Sequence, residues 1–408
     1  MTESKSSDDA SEWIVVAALW MLAVGGSAYL ILPSSIAPTI QHDLAIGAAA
    51  VGWLISIPYA AEVLASMPTG AVLSRVDRRR VLAAAVLSLT VSCFWGWHAG
   101  ATGNYWSFLA SRFFGGAAFA VLWIASIDLV TQEISENVTT AVAIYTTSGP
   151  AGLAVGLAAA PVLARLADWP GTFAISGLVI GALLLVTWPV LPQLPLDRST
   201  AVTSETTQPG MGVIISAVTT DRTALLVGVL SFSAFSLLLF FTSWMPSYLS
   251  VTFGLTLERS GLFVALFPAV GILARSGGGL LSDRVFEGRR RPVVRLSFFV
   301  ALPLVIAIAM ASEILLVLLF IVAGGFFIQL SIGVFFTYGA EIETDYPNSA
   351  FVAFLTMTGL SGSFTAPIIA GVLIDLTGTF TAAFVYAMML AFVGTLAALT
   401  VRSPQTDV

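Results

Sequence analysis

Three charged residues, Glu62, Arg112 and Arg275, lie inside long apolar runs of the sequence. A charged side chain at the centre of a bilayer costs at least ~2.5–3.5 kcal/mol, so such a residue usually has a function. A guanidinium donates paired hydrogen bonds to carboxylates and other planar anions. A buried carboxyl group beside an arginine is suited to bind and release a proton. We therefore predict that Arg275 binds an anion and that Glu62 and Arg112 couple to protons; the alternative for each is a permanent structural contact.

The depth of these residues follows from the rise of about 1.5 Å per residue in an α-helix. Glu62 lies twelve residues, or ~18 Å, before the polar end of its apolar run, which is near the centre of a bilayer. Arg275 lies eight residues, or ~12 Å, before the corresponding end of its run. Arg112 lies sixteen residues, or ~24 Å, from the end of its run, and is therefore expected in the other half of the membrane.

The composition of the whole chain indicates a lipid environment. Hydrophobic residues make up 57% of the 408 residues and charged residues only 10%, whereas a soluble domain carries about 25% charged residues. The one cysteine, Cys93, excludes an intramolecular disulfide and a thiolate metal cage. We predict a polytopic protein of the lipid bilayer with no cofactor, no metal and no nucleic-acid partner.

Apolar segments separated by short polar loops can be counted along the chain. A helix needs ~20 residues to cross the hydrocarbon core, and twelve candidate spans occur at 13–37, 46–73, 81–101, 106–130, 138–164, 172–194, 223–247, 259–281, 296–311, 314–340, 349–374 and 381–401. The longest polar connection divides them six and six. The predicted organisation has five parts: a disordered tail (1–12), a six-helix bundle (13–194), a linker (195–222), a second six-helix bundle (223–402) and a tail (403–408).

The distribution of basic residues predicts the orientation of the spans, because lysine and arginine are retained on the cytoplasmic side. If the N-terminus is inside, only Arg165 and Arg259 fall in outer loops. Thirteen basic residues then fall in cytoplasmic segments: Lys5, Arg75, Arg78, Arg79, Arg80, Arg198, Arg222, Arg284, Arg289, Arg290, Arg291, Arg295 and Arg402. We therefore predict a multi-pass protein of the plasma membrane with both termini in the cytoplasm.

The two halves of the chain repeat each other. The run GAVLSRVDRRR at 70–80 ends the second span, and GLLSDRVFEGRRR at 279–291 ends the eighth. Asp128 near the end of the fourth span is matched by Glu341 after the tenth. Repeated halves that hold a substrate between them at mid-membrane are common in secondary transporters. The predicted fold class is an all-α membrane protein with twelve transmembrane helices in two pseudo-symmetric six-helix bundles.

The two loop sequences resemble the signature of the major facilitator superfamily, G-x-x-x-D-R-x-G-R-R, between spans two and three and again between spans eight and nine. The C-terminal copy matches the signature at Gly279, Asp283, Arg284, Gly288, Arg289 and Arg290. The N-terminal copy keeps Gly70, Arg75, Arg78 and Arg79, with Ser74 in place of the acid and Asp77 in place of the second glycine. Two further elements resemble the family, the arginine and glycine of span four and the Gly-Pro pair of span five: Arg112, Gly116, Gly149 and Pro150.

The resemblance implies the major facilitator fold, with polar contacts that hold one face of the protein closed. Arg78 or Arg79 would reach Asp128 at the end of span four. Asp283 would interact with the N-terminus of a helix in the other half, where the helix dipole is positive. Alternatively, the basic residues only anchor the loops at the lipid surface. Asp375, at the outer end of span eleven, is expected to cap the turn that follows it.

Span eight resembles that of nitrate/nitrite porters and related anion carriers within the superfamily, on the stretch FPAVGILARSGGGLLSDR at 267–284. An arginine at this position coordinates the anion in those carriers, so the resemblance implies that Arg275 is an anion ligand. The expected partner arginine falls at Ser66, and the serine argues against nitrate itself. In span seven, Phe235 and Trp244 are candidates for lining the cavity, with core packing as the alternative.

A secondary active carrier accounts best for these features, because the sequence has no Walker motif and no paired carboxylates or histidine cluster that would indicate a membrane enzyme. We predict a monomer that moves a small organic or inorganic anion by alternating access, driven by protons or exchange. The alternative is a proton-coupled drug efflux antiporter, which the Gly-Pro pair and Arg112 favour. Since spans two and four are usually neighbours in this architecture, we expect Glu62 and Arg112 to contact each other.

Overall fold

The structure, a computed structural model, describes residues 2–134, 137–191, 222–340 and 348–401, and it describes side chains from residue 12 onward except at Met67, 336–340 and 348–350. Thirteen α-helices make up almost all of this part of the chain: α1 (Thr2–Ser35), α2 (Ala37–Leu44), α3 (Ala48–Leu73), α4 (Arg78–Ala101), α5 (Tyr105–Glu133), α6 (Val138–Thr146), α7 (Ser148–Thr187), α8 (Arg222–Phe253), α9 (Leu257–Arg284), α10 (Arg290–Met310), α11 (Ile314–Ala340), α12 (Asn348–Thr377) and α13 (Thr381–Thr400). A short 3₁₀ turn, Trp188–Val190, follows α7, and the described ranges contain no strand.

Eleven helical segments of the described chain are long and apolar enough to cross a membrane. One of them, made of α6, α7 and the 3₁₀ turn, has 53 residues, which is about twice the length that one crossing needs. Its path breaks at Ala167 (φ −144°, ψ 26°) and Asp168 (φ 57°, ψ 167°). Pro170 follows the break and has no N–H with which to continue the helical hydrogen bonds across it. This segment therefore contains spans five and six, and the twelve predicted spans are present.

The helix limits differ from the predicted spans at a few places. The ninth span is longer than predicted, because α10 begins at Arg290. The first helix begins at Thr2, so most of the predicted disordered tail continues α1, and the expectation of disorder there is wrong. Apart from Arg222, the predicted linker 195–222 lies outside the described residues, as does the tail 403–408.

The helices have apolar side chains on nearly every face, as expected where the solvent is lipid. Large apolar side chains are strongly exposed along the outside of the bundle, for example Leu185 at 77%, Met310 at 78% and Leu315 at 77%. In a soluble protein such a surface would aggregate. Here these apolar side chains are expected to contact the hydrocarbon of a bilayer.

The two halves pack against each other through α3 with α12 and through α7 with α9. Glycines allow backbone contact between these helices: an added Cβ at Gly52 would meet the backbone of Pro367, and one at Gly261 would meet the carbonyl of Leu157. Gly52 and Gly261 are equivalent positions of the sequence repeat. We call the end of the bundle that carries the loop arginines the basic end. Both glycine contacts lie toward the opposite end.

Candidate transport site

Arg112 is fully buried in α5 and donates hydrogen bonds to three backbone carbonyls. Its Nε–H donates to the carbonyl of Leu54 at 3.2 Å, its Nη1–H to that of Tyr29 at 2.9 Å, and its Nη2–H to that of Leu30. The guanidinium also lies 4.4 Å from the centre of the Tyr29 ring, within the range of a cation–π contact. Because the acceptors lie on α1 and α3, Arg112 ties three helices of the first half together.

Two of these carbonyls are available because prolines interrupt the helical hydrogen bonds of α1 and α3. In an α-helix, the carbonyl of residue i accepts from the N–H of residue i+4, and proline has no N–H. Pro33 therefore leaves the carbonyl of Tyr29 without its usual donor, and Pro58 does the same for Leu54. Arg112 supplies both missing donors, and a buried carbonyl without any donor would cost ~1–3 kcal/mol.

The predicted contact between Glu62 and Arg112 is wrong, because the guanidinium is engaged by the carbonyls. Glu62 is half-buried on α3, and its Oε1 is buried with no hydrogen-bond partner among the described residues. A carboxyl oxygen near mid-membrane is thus left available to a proton or a ligand.

Arg275 lies on α9, and no acid of the described chain forms an ion pair with it. Its Nε is buried and has no hydrogen-bond partner within the described ranges. Two glycine contacts hold the surrounding backbone against α11: an added Cβ at Gly333 would meet the backbone of Arg275, and one at Gly278 would meet the carbonyl of Leu330. The backbone of Arg275 is therefore closely packed. The charge of its guanidinium has no counter-ion among the described residues.

The other predicted binding residues differ in their surroundings. Ser66 is half-buried, and its hydroxyl donates to the Val63 carbonyl of its own helix at 2.8 Å. Phe235 is half-buried and packs against α12. Trp244 is only 2% exposed, and its indole N–H donates to the Pro367 carbonyl at 3.0 Å. Trp244 therefore joins α8 to α12 in the core, and its prediction as a cavity residue is corrected to the packing alternative.

In the first loop, Arg78 and Arg79 contact the ends of two different helices. The Nε–H of Arg78 donates to Asp128, and Gln132 donates to the other carboxylate oxygen at 3.0 Å. The prediction that one of these arginines reaches Asp128 is confirmed. Arg79 donates to the Trp188 carbonyl at 2.6 Å and lies 4.0 Å from the centre of the Trp188 ring. The two arginines fix the loop to α5 and to the turn after α7.

The departures of this loop from the family signature have local explanations. Asp77, in place of a glycine, is the N-cap of α4, and its side chain accepts from the backbone N–H of Arg79 at 3.0 Å. Ser74, in place of the acid, donates to a carbonyl of its own helix at 2.9 Å. Arg75 is exposed, and Gly70 lies in the last turn of α3.

In the second loop, Asp283 forms its described ion pair with Arg290 of the same half. The side chain of Asp283 is 59% exposed, and its expected contact with a helix N-terminus of the other half is not found among the described residues. That prediction is wrong in this structure, because the neighbouring arginine takes the carboxylate. Arg289 forms an exposed ion pair with Glu287 at 3.5 Å, and Arg284 is exposed. The predicted counterpart of Asp128, Glu341, lies outside the described residues.

The Gly-Pro pair of span five lies at a break in the helix. α6 ends at Thr146, and Pro150 lacks the N–H that would bond to the Thr146 carbonyl. Thr147, at the break, accepts a 2.9 Å hydrogen bond from the indole N–H of Trp20 on α1. Gly149 is half-buried beside it. The pair thus lies at an interruption between α6 and α7, which a side chain of the first helix contacts.

The two family glycines in α5 and α9 are expected to respond oppositely to alanine. An added Cβ at Gly116 would meet the backbone of Pro58, whereas one at Gly279 would meet no atom within 4 Å. We expect Gly116→Ala to destabilise the protein by about 1–3 kcal/mol through overpacking. Gly279→Ala should be neutral or stabilising by up to ~1 kcal/mol, because alanine is the better helix former.

Thermal unfolding of the two purified variants in the same detergent measures this difference. Equal unfolding temperatures for both variants would contradict the packing described for α5. If Gly279→Ala folds normally but no longer transports, the glycine is needed in a conformation other than this one.

Some residues that organise this region were missed by sequence reasoning. Pro33 and Pro58 mark carbonyls that need a donor, and each lies four residues after its carbonyl in the sequence. Asp375 was expected to cap its own turn, but it accepts hydrogen bonds from the backbone N–H groups of Ala48 and Ala49 in the other half. The sequence did contain a signal for this contact: the first residues of α3 include no side chain that could cap the helix, so an acceptor must come from elsewhere.

The pattern of twelve helices in two similar halves, with the double loop motif, agrees with the comparison to known families. The family described as Major Facilitator Superfamily matches residues 17–364. The chain belongs to this superfamily. It is therefore a multi-pass membrane protein of a transporter superfamily.

Two bacterial relatives show how far the sequence likeness extends within the superfamily. The nitrite extrusion protein of Bacillus subtilis (strain 168) is 26% identical over 262 residues, which cover 64% of this chain and 63% of that protein. The hexuronate transporter of the same organism is 25% identical over 269 residues, covering 64% of this chain and 62% of that protein. The match thus spans less than two thirds of the length of either relative.

The fold is similar to that of a solved bacterial homologue of the human lysosomal transporter Spinster, in an inward-facing and unoccupied conformation. The TM-score is 0.80 at 14% sequence identity, over 96% of this chain and 97% of the other. At this identity, the likeness concerns the fold alone.

Proposed function

We propose that this superfamily member is a secondary active transporter that moves a small anion across the cell membrane by alternating access. The observation that carries the proposal is the guanidinium of Arg275, which has no described counter-ion. An uncompensated charge at membrane depth is costly, so a negative group that arrives from water would stabilise it. The planar donors of arginine suit a carboxylate or another planar anion. A single such cation favours a singly charged substrate.

The relatives support the same class of substrate. Nitrite, in the name of one relative, is an inorganic monoanion, and a hexuronate, in the name of the other, carries one carboxylate. Both anions could accept paired hydrogen bonds from one guanidinium. The half-buried Ser66 is a candidate second contact.

The distribution of contacts between the halves supports an access path from the basic end. The described ion pairs at that end each join residues of one half, such as Arg78 with Asp128 and Asp283 with Arg290. Hydrogen bonds and an ion pair that cross between the halves lie at the opposite end. Because arginine-rich loops are retained in the cytoplasm, we propose that the basic end and both termini are cytoplasmic and that the membrane is the plasma membrane.

We propose that the transporter works as a monomer and that protons or a counter-substrate drive it. Glu62 is the candidate proton carrier, since one of its carboxyl oxygens is buried without a described partner. Arg112, whose donors are engaged by carbonyls, makes no described contact with Glu62. Its part in proton coupling would be to hold α1, α3 and α5 in a fixed arrangement around that residue.

A second candidate function, efflux of drugs or other amphipathic compounds, is favoured by an aromatic cluster in the first half. The ring centres of Phe119 and Trp123 are 5.9 Å apart, and those of Trp123 and Tyr145 are 5.1 Å apart. The cluster adjoins the helix break at Thr147, where Trp20 is bound. Phe119 and Tyr145 are buried, so a flat aromatic or cationic compound could stack on the half-buried Trp123.

A ligand-stabilisation screen on purified protein tests the proposal. We expect small carboxylates or inorganic monoanions to raise the unfolding temperature and Arg275→Ala to weaken their binding by ~10- to 150-fold, because a hydrogen bond to a charged group is worth ~1.5–3 kcal/mol. Arg259→Ala is the matched control, since Arg259 is an exposed arginine of the same helix.

The opposite pattern would favour the second function. Stabilisation by cationic drugs, but not by anions, that survives Arg275→Ala would overturn the anion proposal. Counterflow of a labelled ligand in reconstituted vesicles then distinguishes a carrier, which exchanges the ligand, from a protein that only binds it.

A further inference from the structure

The start of α3 lacks a capping side chain of its own. Its N-cap is Gly47, and the helix opens with Ala48 and two further alanines, so no oxygen of this segment can accept from the first N–H groups. These N–H groups carry the positive end of the helix dipole and need an acceptor.

Asp375, at the end of α12 in the other half, supplies that acceptor. Its Oδ1 accepts from the N–H of Ala48 at 2.7 Å, and its Oδ2 accepts from the N–H of Ala49 at 2.8 Å. A Cβ at Gly47 would collide with the carboxylate, so the absence of a side chain there permits the approach. Charge-assisted pairs of this kind are among the stronger hydrogen bonds.

The helices that carry the contact between Asp375 and α3 are closely packed. One turn before Asp375, an added Cβ at Gly371 would meet the backbone of Ala48. Further along the same helix pair, Gly52 lies against the backbone of Pro367. The carboxylate is therefore aimed at the N-terminus of α3 by backbone contacts, and it does not depend on a flexible loop.

An equivalent contact joins the other pair of helices between the halves. Arg165 of α7 lies 3.8 Å from Glu258, in the first turn of α9, beside the backbone contact of Gly261 with Leu157. Here α9 has its own cap, because the side chain of Thr256 accepts from the backbone at 3.3 Å. The arginine side chain is 70% exposed. Exposed pairs of this kind contribute little. Asp375 is also exposed, but it makes two hydrogen bonds of 2.7 and 2.8 Å to backbone N–H groups, so its contact is the stronger of the two.

We propose that the carboxylate of Asp375 and the N-terminus of α3 form a latch that holds the two halves together at the opposite end of the bundle. Opening that end must separate α3 from α12, which breaks both hydrogen bonds of the carboxylate and leaves the two N–H groups without a protein acceptor. The latch therefore sets the fraction of molecules that are open at that end. This inference rests on the proposed alternating access, but it does not depend on which substrate is carried.

Distance measurements between spin labels in the full-length protein test the latch directly. Labels at Ala101→Cys and Thr379→Cys would lie on the two halves at the exposed opposite end, and the native Cys93 is fully buried. Loss of a helix cap corresponds to a ~3- to 30-fold change in an equilibrium. We expect Asp375→Ala to raise the ratio of long to short distances by this factor. Asp375→Asn should change it less, because its amide oxygen still accepts.

Two further variants complete the test. Asp43→Ala removes an exposed acid of the same end that bonds only to the adjacent histidine in the described contacts, so its distances should match those of the wild type. Gly47→Ala keeps the charge but displaces the carboxylate, and it should shift the ratio in the same direction as Asp375→Ala.

An unchanged distance distribution in both Asp375→Ala and Gly47→Ala would overturn the latch, as would an equal shift in Asp43→Ala. If Asp375→Ala cannot be purified, Gly47→Ala decides by itself. Because the measurement reads distances and not transport, failure of the latch leaves the proposed transport function standing, and failure of substrate binding leaves the latch testable.

Discussion

Replacement of Glu62 by glutamine is expected to abolish uphill accumulation of the substrate in reconstituted vesicles, while one-for-one exchange continues. Glutamine keeps the size and the hydrogen-bonding shape of the side chain but cannot bind and release a proton. In a proton-driven cycle the carrier returns without substrate, and the carboxyl group must bind or release its proton in that step. In exchange the carrier returns with substrate bound, so no proton needs to move. The measurement is uptake of labelled substrate with and without an imposed proton gradient.

The control for this variant is Glu258→Gln, which removes the same charge at the opposite end, where Glu258 pairs with Arg165. Accumulation in the control should remain near the wild-type level. If Glu62→Gln accumulates substrate as well as the wild type does, Glu62 is not the coupling group, and exchange driven by a counter-substrate becomes the better account. Loss of both accumulation and exchange would indicate that Glu62 contacts the substrate itself.

Removal of the Arg112 side chain is expected to produce the largest loss of stability. Arg112→Ala leaves two buried carbonyls that have no helical donor, those of Leu54 and Tyr29, and it also removes the added hydrogen bond to the Leu30 carbonyl. Each unsatisfied buried group costs ~1–3 kcal/mol, so we expect a total of about 2–6 kcal/mol. The midpoint of thermal unfolding in detergent measures the effect. Arg80→Ala is the matched control, because the Arg80 side chain is 81% exposed.

A second substitution distinguishes the carbonyl explanation from a general loss of packing. Pro58→Ala restores an N–H to α3 in a position to bond to the Leu54 carbonyl. Combined with Arg112→Ala, it should recover part of the lost stability. If Arg112→Ala unfolds at the same temperature as Arg80→Ala, or if Pro58→Ala brings no recovery, the role assigned to the proline-freed carbonyl is wrong.

Much of the fold could be predicted from the sequence because lipid imposes simple constraints. A backbone in hydrocarbon must satisfy its own hydrogen bonds, so each long apolar run becomes a helix. The repeated loop motif also predicted the contact of Arg78 with Asp128, since both residues lie at neighbouring helix ends. The break at Asp168 could also be predicted, because a polar residue and a proline mark the turn between spans five and six.

The site was harder to predict, because each charged side chain has several possible partners and the sequence does not show which of them lies nearest. Arg112 was paired with Glu62 because spans two and four are usually neighbours, but its donors bond instead to three backbone carbonyls, two of which are freed by prolines. Asp283 was expected at a helix N-terminus of the other half, yet Arg290 lies closer. Asp375 instead occupies such a position at the opposite end. Which acid meets which helix end depends on how the halves pack, and packing is a property of the whole bundle.

The anchoring of Arg112 also constrains the mechanics of the transport cycle. This side chain of the fourth span donates to carbonyls of the first and second spans, so these three spans are expected to move together. We expect displacement between the halves to be concentrated at the glycine contacts where α3 meets α12 and α7 meets α9. Sliding at those contacts would leave the hydrogen bonds of Arg112 intact.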